Sequence, residues 1–260
     1  RVGGARRRCG LRAAAAVIVY GRNPVREALV GRRAASVRDV WATQSAAREP
    51  WLQGREVRLV SAEQIAERCG SEGHQGICAE AGAYPYASGQ ELLALDSPLL
   101  VALDQVQDPQ NLGSICRTAE CAGAAGVVIP ERRAAEVTAA VCKASAGAVE
   151  HLAVARVRNL ADFLAEARDA GCWCYGATAG EDSDGPQPRR PVPYDRPDYS
   201  EGGVVLVLGS EGAGLRPRVA AGCDELIALP MRGSVRSLNV GAAAAALLYE
   251  ILQARVDSAP

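Results

Sequence analysis

The chain has 260 residues, 48% hydrophobic and 23% charged, and a formal net charge of -1. That is enough apolar material for one or two domains with a sizeable core, no apolar run reaches membrane length, and the near-neutral balance gives no global sign of nucleic-acid binding. The charge is unevenly placed, because Arg1 to Ala16 holds five arginines and no acid and so leaves -6 on the rest; a basic tail of this kind is expected to be disordered. The apolar stretch over residues 11–20 is short and runs directly into Gly-Arg-Asn-Pro-Val, which reads as a domain start rather than an export signal. Nine cysteines, an odd number without a C-x-x-C pair, read as reduced thiols in a cytoplasmic protein. With only His74 and His151 beside them, no metal site is expected.

Val17 to Tyr20 is expected to be a strand, followed by a helix with Pro24 at its first position and Val25, Ala28 and Leu29 on its apolar side. Strands at Val37 to Ala42 and Val57 to Leu59, a helix at Ala62 to Cys69 and a strand at Gly76 to Glu80 complete a small α/β unit, residues 17–84. Residues 85–98, with Pro85, Gly89 and Pro98, read as a linker carrying a short helical patch at Glu91 to Leu95.

From Leu99 the pattern alternates. Strands are expected at Leu99 to Leu103, Gly126 to Ile129, Ala153 to Val157, Cys172 to Ala177 and Val204 to Leu208, and helices at Leu112 to Ala122, Ala134 to Ser145 and Leu160 to Ala170. A Pro- and Arg-bearing loop runs from Gly180 to Gly203. A last short strand from Leu226 breaks at Pro230 and leads through a polar loop into a helix after Asn239. Such alternation over residues 99–256 predicts an α/β domain with a parallel sheet covered on both faces. The final helix is apolar all round, which predicts burial against a core or a partner subunit.

Three clusters fall at the carboxyl ends of expected strands, where open α/β sheets bind ligands. The first is Asp108-Pro-Gln-Asn111-Leu-Gly113-Ser-Ile-Cys-Arg117. In its helix Leu112, Ile115, Cys116, Ala119 and Ala122 form an apolar stripe, so Gly113, Arg117 and Glu120 fall on another face; Asn111 equally suits a helix cap. The second, Gly209-Ser-Glu211-Gly212-Ala-Gly214, is a glycine loop without dinucleotide spacing, and Pro217 argues against a helix after it. In the third, Leu229-Pro-Met231-Arg-Gly-Ser-Val-Arg-Ser237-Leu238-Asn239, Asn239 is again a plausible cap at a helix start able to offer backbone donors.

Together, N-x-G-x-x-x-R, L-G-S-E-G-x-G and L-P-M-x-G-S-V-x-S-L-N-V resemble the three ordered motifs of the SpoU, or TrmH, family of RNA ribose 2'-O-methyltransferases. Lys143 to Gly147 with Glu150, and Cys223 to Leu226, are similar to the family's connecting segments, and the resemblance spans Leu99 to about Gln253. Tyr20 to Leu29 and His74-Gln-Gly76-Ile resemble the ribosomal-protein-like substrate-binding domain that precedes it in many members. The resemblance implies a carboxyl-terminal trefoil knot of the SPOUT type that holds S-adenosylmethionine, with Gly209, Leu229, Met231, Ser237 and Leu238 as cofactor-binding residues. It implies Asn111, Arg117, Glu211 and Asn239 as catalytic residues, no metal, and a homodimer packed through the carboxyl-terminal helix. Gly241 departs from the serine of many members and sits at the head of an alanine-rich helix.

The implied reaction is in-line attack of a ribose 2'-hydroxyl on the sulfonium methyl, most like the branch that methylates a guanosine of 23S ribosomal RNA. Methylation of another ribosomal nucleotide or of tRNA is the alternative, and a non-catalytic RNA-binding assembly protein a further one. The presence of Arg117, Glu211 and Asn239 favours an enzyme, while a nicotinamide-dependent oxidoreductase would need a glycine fingerprint that Leu99 to Asp108 lacks. Arg22, Arg26, Arg32, Arg33 and Arg38 are candidates for RNA phosphate contacts, and His74 and His151 read as structural.

Overall fold

A computed structural model of the chain describes residues 16–178 and 190–258. The basic extension, apart from Ala16, and the first part of the Gly180 to Gly203 loop lie outside the described residues. The amino-terminal part contains β1 (Val17–Tyr20), α1 (Arg22–Ala28), β2 (Asp39–Ala42), β3 (Arg58–Leu59), α2 (Ala62–Cys69) and β4 (Ile77–Ala81). Its sheet has the order β1-β4-β2-β3, with β4 antiparallel to both neighbours. The α2 boundaries follow from local chemistry: Ser61 and Gln64 form a capping box at one end and Gly70 ends the helix at positive φ. Helix α1 begins two residues before Pro24, which occupies the third helical position instead of the first. Proline is tolerated there because the first-turn N–H groups have no intrahelical acceptor.

The second sheet contains β5 (Leu99–Asp104), β6 (Gly126–Pro130), β7 (Ala153–Val157), β8 (Cys172–Thr178), β9 (Val192–Pro193), β10 (Gly203–Gly209) and β11 (Glu225–Ala228). Its order is β7-β6-β5-β10-β8-β11-β9 and every pairing is parallel. Helices α4 (Pro109–Cys121), α5 (Ala139–Ala144), α6 (Leu160–Asp169), α7 (Pro217–Gly222) and α8 (Val240–Asp257) connect or cover it. Burial of β5, β6 and β10 on both faces explains their uninterrupted apolar sequences.

Three expectations are corrected. The helix expected over Ala134 to Ser145 shrinks to α5, because Ala135 instead donates its N–H to the Val106 carbonyl and the chain stays irregular up to Thr138. Pro217 does not prevent a helix but starts α7, since proline is favoured at a first helical position. Gly113 is not on the open side of α4: a Cβ there would lie 2.4 Å from the Ala144 Cβ, so glycine permits the close approach of α4 and α5.

Residues 85–98 are packed rather than extended between bodies. Helix α3 (Gly89–Leu93) buries Leu92, Ala87 bridges to Ala155, and the Tyr86 hydroxyl accepts from the Val137 N–H. The two sheets share one apolar cluster in which Val19, Val25 and Ile77 join Leu112, Ile115 and Val149. Polar contacts cross the same seam: Tyr84 donates to the Leu152 carbonyl at 2.6 Å, and His151 Nε2 lies 2.8 Å from a Glu27 carboxylate oxygen.

Arg33 spans this seam and is 1% exposed, facing a Glu150 that is 0% exposed. Its Nε donates to both Glu150 oxygens at 3.1 Å, and its Nη2 donates to Glu150 and Cys142. Burial alone would lower the Arg33 pKa, but the hydrogen bonds and charge of Glu150, together with Cys142, outweigh it and raise the pKa. Arg33 is therefore removed from the candidate RNA contacts, because a guanidinium enclosed in protein and committed to a carboxylate does not reach a phosphate.

Helix α8 buries Val240, Ala244, Leu247, Leu248 and Ile251 against α4 and the sheet, while Ala242, Ala246, Tyr249 and Val256 are exposed. The expected all-round burial is therefore not met within one chain. No helix among the described residues is long and apolar enough to cross a membrane.

Candidate active site

Strand order locates the site. From β5 the chain moves outward through α4 to β6 and β7, whereas from β10 it moves the other way through α7 to β11. The carboxyl ends of β5 and β10 thus flank a topological switch point, where the following loops diverge and leave a crevice. Asp104 and Gly209 are register partners at its floor.

All three sequence clusters arrive there. Asp108, not Asn111, caps α4 by accepting from the Gln110 N–H at 2.9 Å. Asn111 is instead buried in the first helical turn and donates from Nδ2 to Glu211 Oε1 at 3.1 Å. Asn239 caps α8, its Oδ1 accepting from the Gly241 and Ala242 N–H groups at 2.9 and 3.3 Å. Its Nδ2 donates to Asn111 Oδ1 at 2.9 Å and to Glu211 Oε1 at 2.6 Å. The capping and cluster roles of Asn239 are thus one arrangement: the helix N–H groups fix which side of the amide carries oxygen, and the NH2 must then face Glu211. Glu211 is exposed and its Oε2 has no partner among the described residues.

Arg117 lies on the exposed side of α4, with no hydrogen bond or ion pair among the described residues. The sequence pattern placed it off the apolar stripe for the right reason. Glu211 does not orient it here, being held by the two asparagines.

The five cofactor candidates lie on the two loops that rim the crevice. Gly209 and Leu229 are half-buried at the ends of β10 and β11, Met231 is half-buried, and Ser237 and Leu238 are exposed. The loop holds Leu238 at 47% exposure and Val235 at 75%, and the N–H groups of Met231 through Ser234 have no main-chain acceptor among the described residues. Apolar side chains held in water beside open backbone donors fit a ligand with both apolar and polar parts, as S-adenosylmethionine is.

Gly241 has a local account: a Cβ there would lie 2.4 Å from Ser114 Oγ on α4, so glycine lets α8 start close to α4. It sits in the first turn, not the helix interior. Sequence reasoning passed over Asp104 and Arg216, whose signals were an acid ending the apolar strand Leu-Leu-Val-Ala-Leu-Asp and an arginine before a helix-starting proline. His74 is buried, with Nδ1 accepting from the Gly76 N–H at 2.9 Å, a structural role; His151 lies in the seam.

The fold is that of a two-part α/β protein whose polar cluster sits at the carboxyl edge of a parallel sheet. Residues 98–249 match the SpoU rRNA Methylase family, and residues 18–87 match the domain described as RNA 2'-O ribose methyltransferase substrate binding. The chain is a member of the SpoU/TrmH family of RNA methyltransferases, whose cofactor is S-adenosylmethionine. It is 44% identical over 192 residues to YacO of Bacillus subtilis, assigned to the TrmH family of tRNA/rRNA methyltransferases, covering 70% of this chain and 71% of that one. A Staphylococcus haemolyticus protein of the same assignment is 33% identical over 251 residues, 92% of this chain and 96% of its own. Among solved structures, the AdoMet-bound rRNA methyltransferase of Sinorhizobium meliloti superposes with a TM-score of 0.73 at 26% identity, over 94% of this chain and 88% of that one. The SpoU methyltransferase AviRb of Streptomyces viridochromogenes with AdoMet gives 0.72 at 25% identity, over 93% and 91%.

Proposed function

We propose that the chain transfers a methyl group from S-adenosylmethionine to a ribose 2'-hydroxyl of RNA, most specifically of a guanosine in 23S ribosomal RNA, in the bacterial cytoplasm. The observation that carries this reading is the meeting of Asn111, Glu211 and Asn239 from three separate segments at the β5/β10 crevice, with an uncommitted Arg117 further along the helix α4 that carries Asn111. Residues 17–84 are assigned to RNA presentation, 85–98 to the connection, and 99–256 to methyl transfer.

Bound cofactor supplies an electrophilic methyl on a cationic sulfur. The chain's residues orient the acceptor and stabilise charge as it develops. Arg117 is assigned to grip the phosphate beside the target ribose and to stabilise the forming alkoxide, the proton leaving to phosphate or water; a guanidinium is a poor base. The free oxygen of Glu211 is assigned to accept from a ribose hydroxyl, with Asn111 and Asn239 holding its other oxygen. Backbone groups near Gly209, Leu229 and Leu238 are assigned to the cofactor, with Met231 and Ser237 completing the site. The loop that carries them is assigned to a trefoil knot, and the open face of α8, with Tyr249 at 50% exposure, to a homodimer contact.

The substrate is tested by mapping 2'-O-methylated nucleotides in ribosomal and transfer RNA from cells with and without the gene. One guanosine of 23S ribosomal RNA should lose its methyl group, and loss confined to tRNA would reject the ribosomal assignment.

The exposed arginines of the first domain supply a second test. Arg22 pairs with Glu49, Arg26 with Glu27 and Arg38 with Glu80, all through partly exposed side chains that a phosphate can recruit. Replacing Arg22, Arg32 and Arg38 together by alanine should flatten the dependence of log K for RNA on log salt by about one unit for each phosphate no longer neutralised. An unchanged slope would return them to the role of a solvated face.

A further inference from the structure

Asp104 ends β5 with its side chain 0% exposed, at the floor of the crevice. A carboxylate so placed needs hydrogen-bond donors for both oxygens, and one residue supplies them. The Arg216 backbone N–H donates to Oδ2 at 2.8 Å and its Nε to Oδ1 at 2.7 Å. Between Gly209 and Arg216 the chain makes a tight return in which the Gly214 N–H donates to the Ser210 carbonyl at 2.9 Å. Gly212 and Gly214 lie at φ +81° and +66°, and a Cβ on Gly209 would come within 2.2 Å of the Gly214 carbonyl carbon. The returning limb therefore lies directly on the outgoing one, and besides the bonds from Asn111 and Asn239 to Glu211 and the packing of Leu215 against the core, the loop is held at its two ends.

One end is the strand β10; the other is the bond to Asp104. We propose that Asp104 and Arg216 form a positioning pair that fixes the height of the Gly209 to Leu215 loop above the crevice, presenting its main-chain groups to S-adenosylmethionine and Glu211 to its asparagine partners. This rests on the assignment of that loop to the cofactor. The pair acts at the switch point and not in either apolar core, and α7 starts beyond it at Pro217. Arg216 is 43% exposed, and its Nη groups have no partner among the described residues, so an RNA phosphate is the competing use of the same guanidinium.

The test compares the full chain with its Arg216→Ala, Arg216→Lys, Asp104→Asn and Asp104→Asn/Arg216→Ala variants. Cofactor affinity is read by calorimetry, affinity for a ribosomal RNA fragment by filter binding, single-turnover rate at saturating cofactor, and thermal midpoint. Arg216→Ala is expected to weaken cofactor binding by about tenfold or more, with RNA affinity within about twofold of the parent and a smaller fall in the saturated rate. Arg216→Lys, which returns a cationic donor for Asp104 Oδ1, should recover most of the loss. The double variant should bind cofactor no more weakly than the worse single variant, as two groups acting through one contact do.

Cofactor affinity unchanged in Arg216→Ala, or loss of RNA affinity instead, would overturn the pair's role and make Arg216 an RNA contact. Independent addition of the two single effects would also overturn it, as would a collapsed thermal midpoint in every variant including Arg216→Lys. A parent chain that itself fails to bind the cofactor would reject the cofactor assignment, a result distinguishable from failure of the variants alone.

Discussion

Arg117→Ala should lower single-turnover methyl transfer at saturating RNA by roughly a hundredfold or more, the usual effect of removing a group that stabilises charge only in the transition state. The fold should be almost unaffected. Arg117 is exposed and makes no bond among the described residues, so truncation opens no cavity and strands no buried partner. Surface substitutions of that kind change stability by within about 0.5 kcal/mol. Cofactor affinity should also persist, because the candidate cofactor residues lie after β10 and β11 and not on α4. Arg117→Lys keeps the charge but loses the planar fork, and should recover little. Calorimetric titration with S-adenosylmethionine beside a single-turnover assay separates the outcomes. Collapse of cofactor affinity would move Arg117 into the cofactor site; surviving turnover would leave it a surface residue.

Removing one half of the Arg33–Glu150 pair should have the opposite profile, with a large loss of stability. Arg33→Ala leaves a carboxylate at 0% exposure with no cation, and breaking such a pair from one side costs about 3–5 kcal/mol. The Cys142 thiol cannot substitute, because burial pushes its pKa up to about 11 and it carries no positive charge. The loss falls on the seam between the two sheets, so protection of the β1 and β4 amides against hydrogen exchange should fall with the global stability. Replacing both residues by methionine removes both charges while keeping bulk, and should restore most of the loss. Urea unfolding of the parent, single and double variants is the measurement. A single variant within about 1 kcal/mol of the parent would show that water reaches the pair.

The boundaries of α2 and β7 were legible to the residue because they depend on nearby chemistry: a capping box and a left-handed glycine for α2, a short mainly apolar segment ended by Arg158 and the helix cap Asn159 for β7. The same holds for the side on which Arg117 emerges, since helical periodicity alone decides it. The three ordered motifs carried the family, and with it the cofactor.

The tertiary structure decided what depends on partners distant in sequence. Asn111 looked like a cap because its sequence neighbours suit one, yet its amide is spent on Glu211 and Asn239, 100 and 128 residues away. Arg33 looked like a surface cation, and only the packing of α1 and its following turn against Val149 and Glu150 makes it a buried one. Gly113 reads as part of the face off the apolar stripe and Gly241 as a departure from a family serine until the close approaches to Ala144 and Ser114 are measured. The burial of Asp104 likewise follows from the β5/β10 pairing, which brings a loop from beyond residue 209 to close over it. Sequence determines such features only through the assembled sheet, because a residue's charge and size are local while its solvation and its hydrogen-bond partners are properties of whatever folds around it.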